Sequence, residues 1–305
     1  MPGVLILEQA LNGLQFGLML FLLAAGLTLV FGVMDVINLA HGSLYMVGAF
    51  LGAWIVGLSG SFVVGLAGAV LGTALFGMAL ETTLLRSLYA RDHLSQVLAT
   101  FALILILNDG TRMVFGNDLP LSAPQALAGP IELVPGLSYP AYRLVIIAAG
   151  LILAALLYML VARTRMGALV RAGASNREMA TAMGVDIKRL FTFVFGIGAG
   201  LCAVAGVLMG PLLAVQVGMG ENILILAFVV IVIGGIGSIR GALVGALLVG
   251  CVDTFGRTVM QQLFREFLPP QMASAAGPAA ASVAIYVFMA AVLAIRPQGL
   301  FPPRG

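Results

Sequence analysis

Val30 to Phe50 reads VFGVMDVINLAHGSLYMVGAF. Most of it suits the interior of a membrane, yet Asp35, Asn38 and His41 sit inside it at spacing three. Three residues are about 300° of helical turn, so on a continuous helix the three side chains drift only slowly around one face. Ionisable groups within a bilayer face the bundle interior or a water-filled cavity. Three readings of the stripe stay open: interhelical hydrogen-bond glue, a lining of a translocation path or its inner gate, or a proton relay. A relay normally needs more intramembrane acids than Glu81, Asp109 and Asp253 supply.

The rest of the chain supports a membrane setting. Of 305 residues, 61% are hydrophobic and 9% charged, with a mean hydropathy of +1.13. Soluble domains carry about 25% charged residues, so this chain cannot coat a water-facing surface of its size. The expected fold is all-α and polytopic, one transmembrane domain over residues 1–305 with eight or nine spans. The spans are expected near 10–33, 36–57, 61–80, 96–116, 141–162, 190–214, 222–236, 240–260 and 280–297. The 222–260 stretch, interrupted by Gly234-Gly235-Ile236-Gly237-Ser238, is either two spans or a broken element. The first positive side chain is Arg86, so the amino terminus lacks the basic region of a signal peptide and its apolar stretch is expected to stay as a span.

Gly is abundant, and small residues let membrane helices approach closely. GxxxG occurs seven times, where the Gly frequency alone gives about five, so the richness speaks for tight packing rather than for one dimer motif. Cys202 and Cys251 lie in apolar runs and read as packing residues. His41 and His93 are the only histidines and have no acidic cluster with which to build a metal site.

Placing the loop Arg163–Leu190 in the cytoplasm puts eleven of the fifteen basic residues inside, counting Arg304, and four outside: Arg112, Arg143, Arg257 and Arg265. The amino terminus is then outside. Asn117–Pro140 is rich in Pro, so no long helix is expected there. Gln261–Pro278 reads as a short amphipathic outer piece. Asn108-Asp109-Gly110 interrupts an apolar span and is turn-prone; it is either an unwound segment lining a path or the outer end of the span. No internal repeat stands out.

The basic loop carries the clearest local signal. Ser175-Asn176-Arg177-Glu178 fits a capping box with Ser175 as N-cap and Glu178 three residues on. Gly184 sits where a terminal glycine ends a helix. The two-turn helix between them, about 176–183, is too short to hold alone and must pack on something. Met179, Ala182 and Met183 share one face, and methionine suits an adaptable docking surface. No P-loop, Gly-x-Ser-x-Gly or HExxH occurs, and no cofactor motif or catalytic constellation is visible. Energy for uphill transport therefore has to come from a separate ATPase or an ion gradient.

The order of residues in NREMATAMGVDIKRLF resembles the cytoplasmic coupling loop of ABC importer permeases. LNGLQFGLMLFLLAAGLTLVFGVMDVINLAHGSLYMVGAF and GGIGSIRGALVGALLVG resemble segments of branched-chain amino acid ABC permeases of the LivH type, in family order, over about residues 8–297. The resemblance implies a permease subunit moving branched-chain amino acids or related small amides. It implies a second homologous permease, two cytoplasmic ATP-binding subunits and an external substrate-binding protein as partners, in a prokaryotic inner membrane. Membrane lipid surrounds such a chain, and no nucleic acid is involved. It also implies that the helix with Ser175, Glu178, Met179, Ala182, Met183 and Gly184 couples to the ATPase. Asp35, Asn38, His41, Asn108 and Asp109 remain candidates for the path or for polar packing. The alternatives are a urea or short-chain amide permease, a stand-alone proton or sodium symporter, and a passive channel.

Overall fold

The computed structural model describes residues 2–301, so Arg304 lies outside the described residues. The chain forms α1 (Pro2–Met34), α2 (His41–Ser59), α3 (Phe62–Thr83), α4 (His93–Phe115), α5 (Ala141–Arg163), α6 (Arg165–Ser175), α7 (Arg177–Ala182), α8 (Ile187–Leu213), α9 (Met219–Gly234), α10 (Ile239–Phe267) and α11 (Pro270–Ile295). Eight of these are long and apolar enough to cross a membrane. α9, with 16 residues, is the shorter apolar helix. The 222–260 stretch is thus two helices joined by the turn Gly235–Ser238, the first of them short. The helix ends alternate between a basic end, which carries the α5–α8 connection, and a far end.

α1 and α8 form the buried centre; Leu18 to Ala25 and Ala199 to Ala203 are almost wholly covered. Close approach depends on glycine. A side chain at Gly17 would stand 2.8 Å from the Ala246 carbonyl, and one at Gly26 would stand 3.0 Å from Gly198. Gly13 faces Gly250 and Cys251, Gly48 faces Ala203, and Gly241 faces Gly234. These small-residue positions are therefore spent within the chain, as the excess of glycine suggests.

The arrangement repeats with inverted direction. α3 packs on α8 as α10 packs on α1. α2 packs on α3 as α9 packs on α10, and α4 touches α2 as α11 touches α9. α1–α4 and α8–α11 are thus two halves of opposite orientation, a layout known from transporters. Sequence inspection misses this because the halves share packing rather than residue order.

At the far end, β1 (Asp118–Leu119) pairs antiparallel with β4 (Val215–Gln216), and β2 (Pro130–Val134) pairs with β3 (Leu137–Pro140). The proline-rich 117–140 segment contains no long helix, as expected. Gln261–Pro278 is not a separate outer piece: α10 continues to Phe267, and α11 starts at Pro270 with Pro278 inside it. Pro at the first helical position is tolerated because that N–H has no partner in any case.

Candidate functional site

The opening stripe is not helical. α1 ends at Met34 and α2 starts at His41, so Asp35, Asn38 and His41 do not share a helix face. Asp35 follows α1 with φ 54°, a left-handed conformation in which Asp is among the few tolerated side chains. Asp35 is exposed. Asn38 is fully buried and turns the chain, its Oδ1 accepting from the Ala40 amide at 3.1 Å. This local bond competes with a helix, which is why Asn favours such turns. His41 is fully buried, its Nε2 3.1 Å from Cys202 Sγ. It sits at the level of Gly26 and Gly198, about 16 Å along α8 from that helix's start. Residues 35–40 therefore climb from the basic end to mid-depth before α2 begins.

A second break mirrors the first. α8 ends at Leu213, Ala214 has φ 66°, and residues 214–218 run back along α2 before α9 starts. Asp35 and Ala214 are the only non-glycine residues of positive φ among the described residues. The two late-starting helices meet: Gly42, in the first turn of α2, lies against the Gly220 backbone in the first turn of α9, and any side chain on either glycine would overlap the other's carbonyl. Two helix N-termini, each with partial positive charge, thus converge inside the bundle. Irregular backbone at such depth persists only where it is buried in protein or lines a cavity.

Beside this junction, Asn108 Nδ2 donates to Glu221 Oε1 at 2.8 Å, and Arg112 pairs with Asp109 at 2.9 Å. Asn108-Asp109-Gly110 is not unwound. α4 runs through it to Phe115, because the Asp109–Arg112 pair spans i,i+3 and Gly110 lies in open space. Asp109 on α4 and Glu221 on α9 are both exposed, and the outer face of α4 also exposes Phe101, Leu105 and Ile106.

At the basic end, the short helix forms one residue later than its expected cap. Ser175 ends α6, a helix the sequence did not suggest, and Asn176 is the N-cap of α7, its side chain accepting from the Met179 amide at 2.9 Å. Ser175 and Glu178 therefore do not form the reciprocal box, because the Ser175 backbone still belongs to α6. The carboxyl end is as expected. Gly184 has φ 87°, its N–H bonds the Thr181 carbonyl, and the Val185 N–H bonds the Ala180 carbonyl, a Schellman closure. Ala180 is buried against the chain, whereas Met179, Ala182 and Met183 are exposed, Met183 by 80%.

A model of the family described as "Branched-chain amino acid transport system / permease component" matches residues 9–294. The chain belongs to this permease family. The permease is 29% identical over 274 residues to the high-affinity branched-chain amino acid transport system permease protein BraD of Pseudomonas aeruginosa, covering 85% of this chain and 89% of BraD. It is 28% identical over 280 residues to LivH of Escherichia coli K12, with the same coverages. It is 26% identical over 263 residues to the ribose import permease protein RbsC of that strain, covering 83% and 78%.

The permease also places together residues that sequence reasoning left apart. Glu81, fully buried at the end of α3, accepts from Arg86 at 3.0 Å, from Tyr89 at 2.6 Å and from Thr192 at 2.6 Å. The hydrogen bond to Glu81 raises the Arg86 pKa, and burial, then the Glu81 bond, push the Tyr89 hydroxyl far up, so it remains a donor. Gln96, 2% exposed, accepts from the Ile37 amide at 3.2 Å and donates to the Leu88 and Arg91 carbonyls. Gln96 had no sequence signal beyond being a lone amide near the start of an apolar helix.

Proposed function

We propose that the chain is, over residues 1–305, the transmembrane subunit of an ATP-driven importer of branched-chain amino acids or related small amino acids. The basic end faces the cytoplasm and meets two ATP-binding subunits, where hydrolysis occurs. A second homologous permease pairs with it, and an external binding protein delivers substrate at the far end. The membrane is the cytoplasmic membrane of a prokaryote.

The observation that carries the reading is α7. It is capped by Asn176, closed at Gly184 and fixed to its own chain through Ala180, while Met179, Ala182 and Met183 point away from it. A six-residue helix holds in water only with such support, and its free methionine face suits a groove on a soluble partner. The path runs along the exposed side of α4 and α9, beside the buried start of α2. There the converged helix N-termini offer positive potential to a carboxylate, and Glu221 and Asp109 offer acceptors to an ammonium group. Asn38 and His41 hold the first break in place.

Replacing Met183 with Glu, and separately Met179 with Glu, tests the reading in the reconstituted complex. The expected result is loss of the co-purifying ATPase and at least a tenfold fall in ATP-driven leucine uptake. Retention of both in both variants overturns it.

A further inference from the structure

We propose that Arg177 is the positioning residue through which movement of α7 reaches the α1–α2 break. This rests on the reading of α7 as the ATPase-docking helix.

Arg177 opens α7 but turns back into the bundle. Its Nη2 donates to the Val33 carbonyl at 3.2 Å, and its guanidinium carbon lies 5.4 Å from the centre of the Phe191 ring. Val33 belongs to the last turn of α1, whose carbonyls have no partner within the helix. A cation there satisfies such a carbonyl and matches the negative end of the helix dipole. Two residues after Val33 comes Asp35, in its left-handed conformation, and then the irregular chain that carries Asn38 to mid-depth. Whatever displaces α7 pulls on the last turn of α1, two residues before the backbone leaves the helix.

The other side of Arg177 is braced. Phe191 is 3% exposed in the first turns of α8 and meets Tyr89 edge-on, ring centres 5.4 Å apart at 78°. Tyr89 is held by buried Glu81 and touches Met34 Sδ at 3.7 Å. Arg177 thus slides between a fixed aromatic wall and the end of α1. Only a planar guanidinium both stacks on a ring and donates sideways to a carbonyl; a lysine ammonium does one or the other well. Arg177 does not belong to the exposed methionine face, so docking and transmission use different residues of one short helix.

The complete transporter in proteoliposomes, with its ATPases and binding protein, separates the two ideas. Arg177→Met is expected to keep the ATPases bound and hydrolysing, while leucine moved per ATP falls at least tenfold. Arg177→Lys is expected to recover part of the coupling. A cysteine at half-buried Ile37, in a Cys251→Ala background, reports the break: its rate of modification by a membrane-impermeant thiol reagent changes with ATP in the parent and no longer does so in Arg177→Met. A merely structural arginine would not give that loss of response with hydrolysis intact. Wild-type coupling in Arg177→Met overturns the proposal, and so does loss of the ATPases from that variant, which would make Arg177 part of the docking face. If the Arg177→Met chain itself does not fold into the membrane, Arg177→Lys and Phe191→Leu decide, and full coupling in both overturns it. The docking reading fails separately, if Met183→Glu and Met179→Glu both keep their ATPases.

Discussion

The two breaks have the same backbone design and different fastenings. Each follows a long buried helix, begins with a left-handed non-glycine residue and delivers a helix N-terminus to the Gly42–Gly220 contact. The α1–α2 break is held by side chains: Arg177 on the Val33 carbonyl and Gln96 on the Ile37 amide. The α8–α9 break is held by backbone, through the β1–β4 pairing and the Val217 amide on the Asn117 carbonyl at 2.9 Å. Of the two hooks, Arg177 reaches from the short helix of the α5–α8 connection and Gln96 from the start of α4, whereas the backbone ladder ties one wall to another. Under the proposed reading, motion driven from the basic end reaches the first break, and the second serves as a steadier frame.

The largest effect is expected at the point both halves share. Gly42→Ala places a methyl group into the Gly220 carbonyl and 2.8 Å from Leu224 Cβ. Backbone on the other side cannot move aside as a flexible side chain would, so the cost is expected at or above the upper end of overpacking, about 3 kcal/mol. Thermal unfolding of the purified chain in detergent should show a fall of many degrees, and uptake should be lost. Gly220→Ala should match it, because the contact is reciprocal. A mild effect in one and a severe effect in the other would mean the two termini do not carry equal roles.

A matched pair of variants separates the fastenings. Gln96→Leu leaves the Ile37 amide and two carbonyls without their buried partner, at about 1–3 kcal/mol. Val217→Pro removes one donor at the second break, at about 0.5–1.5 kcal/mol. Both should lower uptake. Gln96→Leu is expected to lower the amount transported per ATP while leaving dependence on binding protein unchanged. Val217→Pro is expected to leave coupling per ATP intact and to raise the binding-protein concentration needed for half-maximal uptake. The reverse pattern would exchange the roles of the two breaks.

Much of this was legible in the sequence and some was not, for physical reasons. Hydrophobic runs mark helices that must satisfy their own backbone in lipid, so nearly every span stood out. Gly184 was readable because a left-handed helix terminus strongly favours glycine. The boundary between the first two spans was readable near residues 33–36, but the extent of the break up to His41 was hidden because Asp35, Asn38 and His41 at spacing three imitate a helix stripe. Asp35 and Asn38 flanking β-branched Val36 and Ile37 was the available hint of a turn. Ser175 and Asn176 are both good caps, and only the existence of α6 chooses between them. α6 itself was masked by Gly167 and Gly173, which lower helix propensity but fit tight contacts, Gly173 against Leu190 and Ile187. Arg177 and Gln96 act through tertiary contacts to residues 144 and 59 positions away, which no local pattern encodes.

The finest test acts on the Gln96 hook without touching it. Gln96 lies in the first turns of α4, and that helix start is set by Asp92, whose carboxylate accepts from the Ser95 amide at 3.1 Å and its hydroxyl at 2.6 Å. The Ser95 hydroxyl, then its amide, hold the Asp92 carboxyl below its ordinary value. A lowered carboxyl stabilises the fold above its unfolded pKa, near 4, and that contribution is lost as pH falls through the lowered folded value. Acidifying the basic-end compartment below about pH 4 should therefore fray the start of α4 and loosen the Ile37 hook slightly. Asp92 is exposed, so the effect is expected to be small, a degree or so in Tm. Asp92→Asn keeps an acceptor at the cap and does not titrate. It should have nearly the parent Tm at neutral pH and should lose this part of the acid response. An equal acid response in the parent and in Asp92→Asn would show that the α4 cap does not bear on the first break, leaving Arg177 as the fastening that matters there.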